Sequence, residues 1–136
     1  MGVGGTTIMP RSVAKIMFML AALLPPASEA ADMQQRDITF NNEPRNYVLY
    51  VPDTAKTPAP MILLLHGSFG SAAGITALWK ADADANGIVL VAPTSRIISG
   101  WNIIGDHPDF LRAAILDAAT QHPIDPRRMY PIGRES

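Results

Sequence analysis

Cysteine is absent from the sequence. A chain without cysteine has no disulfide framework, no thiol nucleophile and no thiolate metal site. An excess of charge of one sign is also lacking, because 11 lysines and arginines face 12 aspartates and glutamates. With no basic patch or charged run, we expect no nucleic-acid partner. Metal-ligand spacing of His, Asp and Glu and a phosphate-binding glycine loop are missing too, so we expect neither a metal nor a cofactor.

Residues 1–30 have the pattern of a secretory signal peptide. Two basic residues precede an apolar run at residues 16–24, prolines break that run, and small residues lead up to Ala30. A membrane anchor is one alternative, but nine apolar residues fall short of the ~20 needed to span a bilayer. A buried first helix is the other alternative, and Pro25 argues against it. We expect cleavage after Ala30, a secreted or periplasmic mature chain, and no membrane partner after cleavage.

Residues 31–136 have the pattern of one α/β domain. With 48% hydrophobic and 17% charged side chains, the chain has the balance of a globular protein and the length of one domain at most. Continuous apolar runs predict strands buried on both faces, whereas the alternating run at 45–51 predicts a half-exposed strand. Because strands and helices alternate, we expect a mostly parallel sheet with helices on both faces. The expected strands lie at 37–40, 45–51, 61–65, 88–92 and 128–132, and the expected helices lie at 71–86 and between an Asp106 cap and His122.

A loop rich in small residues follows the first fully buried strand, at residues 66–71. Glycines let the backbone turn sharply and approach a ligand closely, and open α/β sheets place their sites at this edge. In an acyl-transfer enzyme, a backbone N–H here donates to the oxyanion of the transition state. We identify Ser68 as the candidate donor and His66 as a residue that holds the loop. The alternative is an ordinary glycine-rich turn.

Several short segments of the chain form an ordered set. They are YVLYVP at 47–52, PMILLLHG at 60–67, GS at 70–71, AD at 83–84, GIVLVAP at 87–93, WN at 101–102, DFL at 109–111 and IDPRRMY at 124–130. In this order and at these spacings, they resemble secreted polyhydroxybutyrate-depolymerase-like and feruloyl-esterase-like α/β-hydrolases, over about residues 37–133. The resemblance implies the N-terminal half of an α/β-hydrolase, incomplete at the C-terminus.

The same resemblance implies a serine esterase that acts outside the cytoplasm. Its substrate would be a carboxylic ester, such as a polyhydroxyalkanoate, a feruloylated polysaccharide or a small acyl ester, and it could be polymeric. The substrate cleft would include Gly67, Phe69 and Trp101. For Trp101 the alternative is an aromatic side chain that packs a loop or the core.

The strand at 128–132 is expected to lead into the nucleophile elbow, G-x-S-x-G. Counting from Gly133 places Glu135 where the serine is due, and Ser136 comes one residue late. Counting back from Ser136 places Arg134 at a position that requires a small residue. Three explanations stay open for this mismatch: an insertion with Ser136 as the nucleophile, a frameshift or gene-model error, and a broken copy of an esterase gene.

Residues for the rest of a catalytic triad are not apparent. In α/β-hydrolases the acid and the histidine follow the serine along the chain. Asp106 and Asp109 come too early and are interpreted as charges at a helix N-terminus, and His107 and His122 are interpreted as helix-end residues. We therefore expect this chain to be an inactive, truncated hydrolase domain at 31–136. The alternatives are a non-catalytic binding module and a truncated gene product without function.

Overall fold

A computed structural model describes residues 31–102 and 104–133 of the chain. The predicted signal peptide at 1–30 lies outside the described residues, as does the candidate nucleophile Ser136 together with Arg134 and Glu135. Within the described ranges, no helix is long and apolar enough to cross a membrane.

The described residues form five strands and two helices, which alternate as the sequence predicts after an initial pair of strands. The first and last strands are longer than expected, because strand pairing extends them into segments whose composition is polar. The elements are β1 (Gln34–Phe40), β2 (Glu43–Tyr50), β3 (Ala59–Leu65), α1 (Ala72–Asn86), β4 (Val89–Pro93), α2 (Pro108–Gln121) and β5 (Ile124–Gly133).

The strands form one sheet in the order β1-β2-β4-β3-β5. β2 is antiparallel to both of its neighbours, while β3 is parallel to both β4 and β5. Every strand except β2 therefore points in the same direction, and the predicted mostly parallel sheet is confirmed. The carboxyl ends of β3, β4 and β5 meet at one edge, where Leu65 pairs with Gly133.

Apolar side chains cover both faces of the sheet, and one helix packs on each face. Tyr47, Met61 and Val91 belong to the cluster under α2, and Tyr50 and Leu90 belong to the cluster under α1. The last four residues of β2 are buried, so the half-exposed strand predicted from alternation is wrong. β2 lies between β1 and β4 with a helix above and below it, and its alternation therefore marks two buried faces.

Both helices begin and end at capping residues. Ser71 caps the N-terminus of α1, and Gly87 caps its C-terminus in the left-handed conformation with φ 66°. A Cβ at Gly87 would lie 2.7 Å from the Thr54 carbonyl oxygen, so glycine is required there. His107 caps the N-terminus of α2, because its ring nitrogen Nδ1 accepts a hydrogen bond from the Asp109 N–H in the first turn. The prediction of Asp106 as this cap is wrong, because the Asp106 carboxylate is buried in a different network.

Both outer strands carry ion pairs, one between β1 and α2 and one within β5. The guanidinium of Arg36 in β1 lies 2.7 Å from the Asp117 carboxylate in α2, and this contact lowers the pKa of Asp117. At the start of β5, the Asp125 carboxylate accepts hydrogen bonds from the backbone N–H and guanidinium of Arg127 and from the guanidinium of Arg128. These donors lower the pKa of Asp125 to about 2.

Candidate functional site

The candidate site lies at the edge of the sheet where the parallel strands end. The 66–71 loop leaves β3 immediately after Leu65, which pairs with Gly133, the last residue of β5. A second loop, at residues 94–106, leaves β4 at the same edge. Parallel strands bring their carboxyl ends together, so loops that are distant in sequence become neighbours here.

His66 is a buried residue that joins these two loops. Its side chain is almost fully enclosed, with the residue 3% exposed. The Ser95 N–H donates to Nε2 over 3.2 Å, so Nε2 must be an acceptor and the ring proton lies on Nδ1. Nδ1 is 3.0 Å from the Gly67 carbonyl oxygen and donates to it. Both ring nitrogens are therefore engaged, which fits the predicted role of holding the loop.

Ser68 occupies the middle of a tight turn. The Gly70 N–H donates to the Gly67 carbonyl over 3.0 Å, and the Phe69 N–H donates to the Ile98 carbonyl over 2.8 Å. Among the described residues, no acceptor takes the N–H of Ser68. That N–H remains the predicted oxyanion donor.

Trp101 links the second loop to the first. Its indole N–H donates to the His66 carbonyl over 2.8 Å, and its ring lies 5.2 Å from the imidazole, centroid to centroid. Gly100, beside it, has φ 135°, and a Cβ there would lie 3.2 Å from the Ser68 hydroxyl oxygen. Trp101 therefore packs the loop and also stands at the site, so the two interpretations of the sequence are compatible.

Arg45 and Asp106 form a buried ion pair that the sequence analysis missed. The two residues are 8% and 6% exposed, and their charged groups lie 2.6 Å apart. The guanidinium also stacks over the Phe110 ring, 3.7 Å from its centroid. The pair joins residues 61 positions apart, so no local spacing in the sequence could have indicated it.

Large apolar side chains are exposed on these loops. Phe69 is 75% exposed and adopts a left-handed backbone conformation, with φ 59°. The carbonyl of Ile98 accepts the Phe69 N–H, and the Ile98 side chain is 69% exposed. Ile97 and Ile104, on the same loop as Ile98, are exposed as well. Grouped apolar side chains in contact with water are typical of binding surfaces.

The structure brings together four of the predicted site residues, Gly67, Ser68, Phe69 and Trp101, at this edge. The remaining one, Ser136, lies outside the described residues. His122 is at the opposite edge, where its Nε2 is 2.9 Å from the Lys56 carbonyl. In the part of the chain that the structure describes, no group of three His, Asp or Glu side chains could hold a metal ion.

Solved structures of several hydrolases resemble the fold of this chain. No protein-family model and no curated protein matches the sequence. Poly(3-hydroxybutyrate) depolymerase from Bordetella parapertussis aligns with a TM-score of 0.59 and 18% identity, over 76% of this chain and 43% of that one. S-formylglutathione hydrolase from Agrobacterium tumefaciens aligns with a TM-score of 0.60 and 15% identity, over 82% of this chain and 52% of that one. Acetyl xylan esterase from Aspergillus awamori aligns with a TM-score of 0.58 and 14% identity, over 74% of this chain and 42% of that one.

These solved structures are hydrolases, and the chain spans about half of their length or less. The identities are low, so the likeness concerns the backbone and the order of its elements. The described residues thus have the α/β-hydrolase fold of these enzymes and correspond to its N-terminal part, as the ordered sequence motifs predicted.

Proposed function

We propose that this chain carries the N-terminal part of a serine-dependent carboxylic ester hydrolase. The observation that carries the proposal is the position of the 66–71 loop at the carboxyl edge of the sheet. The loop follows β3, which pairs directly with β5, the strand that ends at Gly133. The Phe69 and Gly70 N–H groups donate to the Ile98 and Gly67 carbonyls, while among the described residues no acceptor takes the N–H of Ser68. The names of the structural neighbours, which include an acetyl xylan esterase and a depolymerase, support ester hydrolysis.

In this mechanism a serine attacks the ester carbonyl while a histidine removes the serine proton. The carbonyl oxygen becomes negatively charged, and the Ser68 N–H donates a hydrogen bond to it. Ser136 is the candidate nucleophile, since it follows Gly133 at the end of β5. The described residues thus supply the oxyanion donor and the wall of the cleft.

The substrate is an ester with an apolar acyl part. Phe69 and Ile98 stand beside the predicted oxyanion donor, and both expose most of their side chains. An apolar acyl group or the surface of a polyester removes this area from water on binding, at about 25 cal/mol per Å². Polyhydroxyalkanoates, feruloyl esters and small acyl esters all meet this requirement.

The 136-residue chain by itself is expected not to hydrolyse esters. It has three histidines, and each is used in another way. His66 is buried with both nitrogens engaged, His107 caps α2, and His122 faces the Lys56 carbonyl at the far edge. We therefore expect none of the three to act as the base for Ser136.

The test is hydrolysis of a short-chain aryl ester by two chains. One is the 136-residue chain, and the other includes the reading frame, if one continues, past codon 136 of the gene. We expect turnover only from the longer chain, and we expect it to depend on the serine. Turnover by the shorter chain that is lost in Ser136→Ala would overturn its expected inactivity. An inert longer chain would contradict the proposed reaction.

Export from the cytoplasm is the second part of the proposal. It is supported by the basic, apolar and small-residue pattern of residues 1–30. N-terminal sequencing of exported protein is expected to begin at Ala31. A mature protein that retains residues 16–24 would contradict export by signal cleavage.

A further inference from the structure

The buried ion pair between Arg45 and Asp106 lies behind the candidate site and touches no predicted catalytic group. We propose that these two side chains are positioning residues for the 66–71 loop, which we call the oxyanion loop. They hold the 94–106 loop in the conformation that clamps the oxyanion loop. The catalytic meaning of this inference rests on the proposed ester hydrolysis, while the clamp itself is a structural claim that can be tested without turnover.

Arg45 closes the 94–106 loop at its two ends. One terminal nitrogen donates to the Thr94 carbonyl over 3.1 Å, and the other donates to the Gly105 carbonyl over 3.1 Å. The Phe110 ring covers one face of the guanidinium. A planar group with forked donors reaches both ends at once, which a lysine ammonium does not do.

The Asp106 carboxylate binds two backbone N–H groups from the middle of the same loop. One carboxylate oxygen accepts from Arg45 and from the Arg96 N–H over 2.8 Å, and the other accepts from the Asn102 N–H over 3.0 Å. Each donor is charged or belongs to the backbone, so the carboxylate is fully committed. An asparagine at this position would direct an amide N–H towards one of these donors.

Three hydrogen bonds then connect the closed loop to the oxyanion loop. They run from the Ser95 N–H to the His66 ring, from the Trp101 indole to the His66 carbonyl, and from the Phe69 N–H to the Ile98 carbonyl. The partners on the 94–106 loop lie between its Thr94 and Gly105 ends, where Arg45 and Asp106 hold it. Loss of the ion pair therefore releases both sides of Ser68.

The consequence concerns the direction of the Ser68 N–H. An oxyanion donor is effective only when it is held in place before the reaction, because reorientation during the reaction cancels its benefit. Removing one partner of a buried pair also leaves the other charge without compensation. Arg45 and Asp106 thus stabilise the loops and at the same time determine the geometry of the predicted donor.

The experiment is amide hydrogen exchange measured by NMR on the full chain. In Asp106→Asn, we expect exchange at the Phe69 and Ser95 amides and at the Trp101 indole to accelerate at least about tenfold more than in β4, since hydrogen bonds to a charged group are lost. Arg45→Lys is expected to act in the same direction. The matched control is Asp117→Asn, which breaks another Arg–Asp pair that does not touch either loop, and it is expected to leave this ratio unchanged.

Equal acceleration in the loops and in β4 would overturn the inference, as would unchanged loop amides or the same loop effect in the control. If the variants do not fold, the unmodified chain in low denaturant provides the test. The Phe69, Ser95 and Asn102 amides are then expected to open as one unit, and independent opening would overturn the clamp. In a chain that hydrolyses an aryl ester, Asp106→Asn is expected to lower kcat with little change in KM. Absence of hydrolysis would contradict only the proposed function, because the exchange experiment does not depend on it.

Discussion

Replacing His66 by phenylalanine tests how the oxyanion loop is held. Phenylalanine keeps a planar ring of similar size, so the packing against Trp101 is largely retained. The substitution removes the acceptor for the Ser95 N–H and the donor to the Gly67 carbonyl. The measured effect therefore reports these two hydrogen bonds and not the loss of ring volume.

The magnitude follows from the surroundings of each group. Ser95 is buried, so its N–H is left without a partner and without water, at a cost of about 1–3 kcal/mol. The carbonyl of Gly67 keeps the hydrogen bond from the Gly70 N–H and belongs to a partly exposed residue, so loss of the bond from His66 adds little. We expect His66→Phe to lower the free energy of unfolding by about 1–3 kcal/mol.

His66→Gln is the matched control. The glutamine side chain places an amide oxygen near the position of Nε2, where it accepts from the Ser95 N–H. We expect this variant to regain at least about 1 kcal/mol relative to the phenylalanine variant, because the buried N–H has an acceptor again. The stability order is therefore wild type, then His66→Gln, then His66→Phe.

Urea unfolding followed by Trp fluorescence, at one pH, measures the three free energies, and thermal unfolding checks their order. For a domain of this size, each kcal/mol corresponds to about 4–8 °C in Tm. Equal losses in the Phe and Gln variants would refute the argument, because the acceptor at Nε2 would then contribute nothing. An unchanged stability of His66→Phe would refute it as well.

Three further predictions concern other parts of the chain. In an ester-hydrolysing form of the protein, Ser68→Pro is expected to lower turnover about 100-fold and Ser68→Ala only slightly, since only proline removes the N–H; equal effects on kcat would exclude the assigned role. The low pKa of Asp125 stabilises the fold above pH ~4, and we expect this contribution to disappear as the pH falls through about 2; acid titration of the urea midpoint in wild type and Asp125→Asn measures it, and parallel curves would contradict it. Gly87→Ala is expected to lower stability by more than ~1 kcal/mol, because alanine disfavours the left-handed conformation and its Cβ meets the Thr54 carbonyl; an unchanged Tm would contradict this prediction.

Many features of the fold could be predicted because their causes are local. The continuous apolar runs of β3 and β4 indicated buried strands, and Gly87 indicated the end of α1 through its tolerance of positive φ. The small residues at 66–71 indicated a tight turn at the end of a strand. The ordered motifs then indicated the α/β-hydrolase fold, and the backbone comparisons confirm it.

Features that depend on distant neighbours could not be predicted in this way. The alternation in β2 is the same for a half-exposed strand and for a strand between two apolar layers, and only the packing of α1 and α2 distinguishes them. Asp106 comes just before a helix, so the sequence indicates a helix cap. In the folded chain its carboxylate pairs with the guanidinium of Arg45, which is distant in sequence.

The sequence by itself determined the local elements, their order and the loop that carries the predicted oxyanion donor, because helix and strand periodicity, caps and glycine turns act over a few residues. The tertiary structure alone decided what surrounds that loop. It placed Ser95 and Trp101 against His66 and buried Arg45 with Asp106. Such contacts join residues tens of positions apart, and burial makes them strong by removing the water that would otherwise compete for the same donors and acceptors.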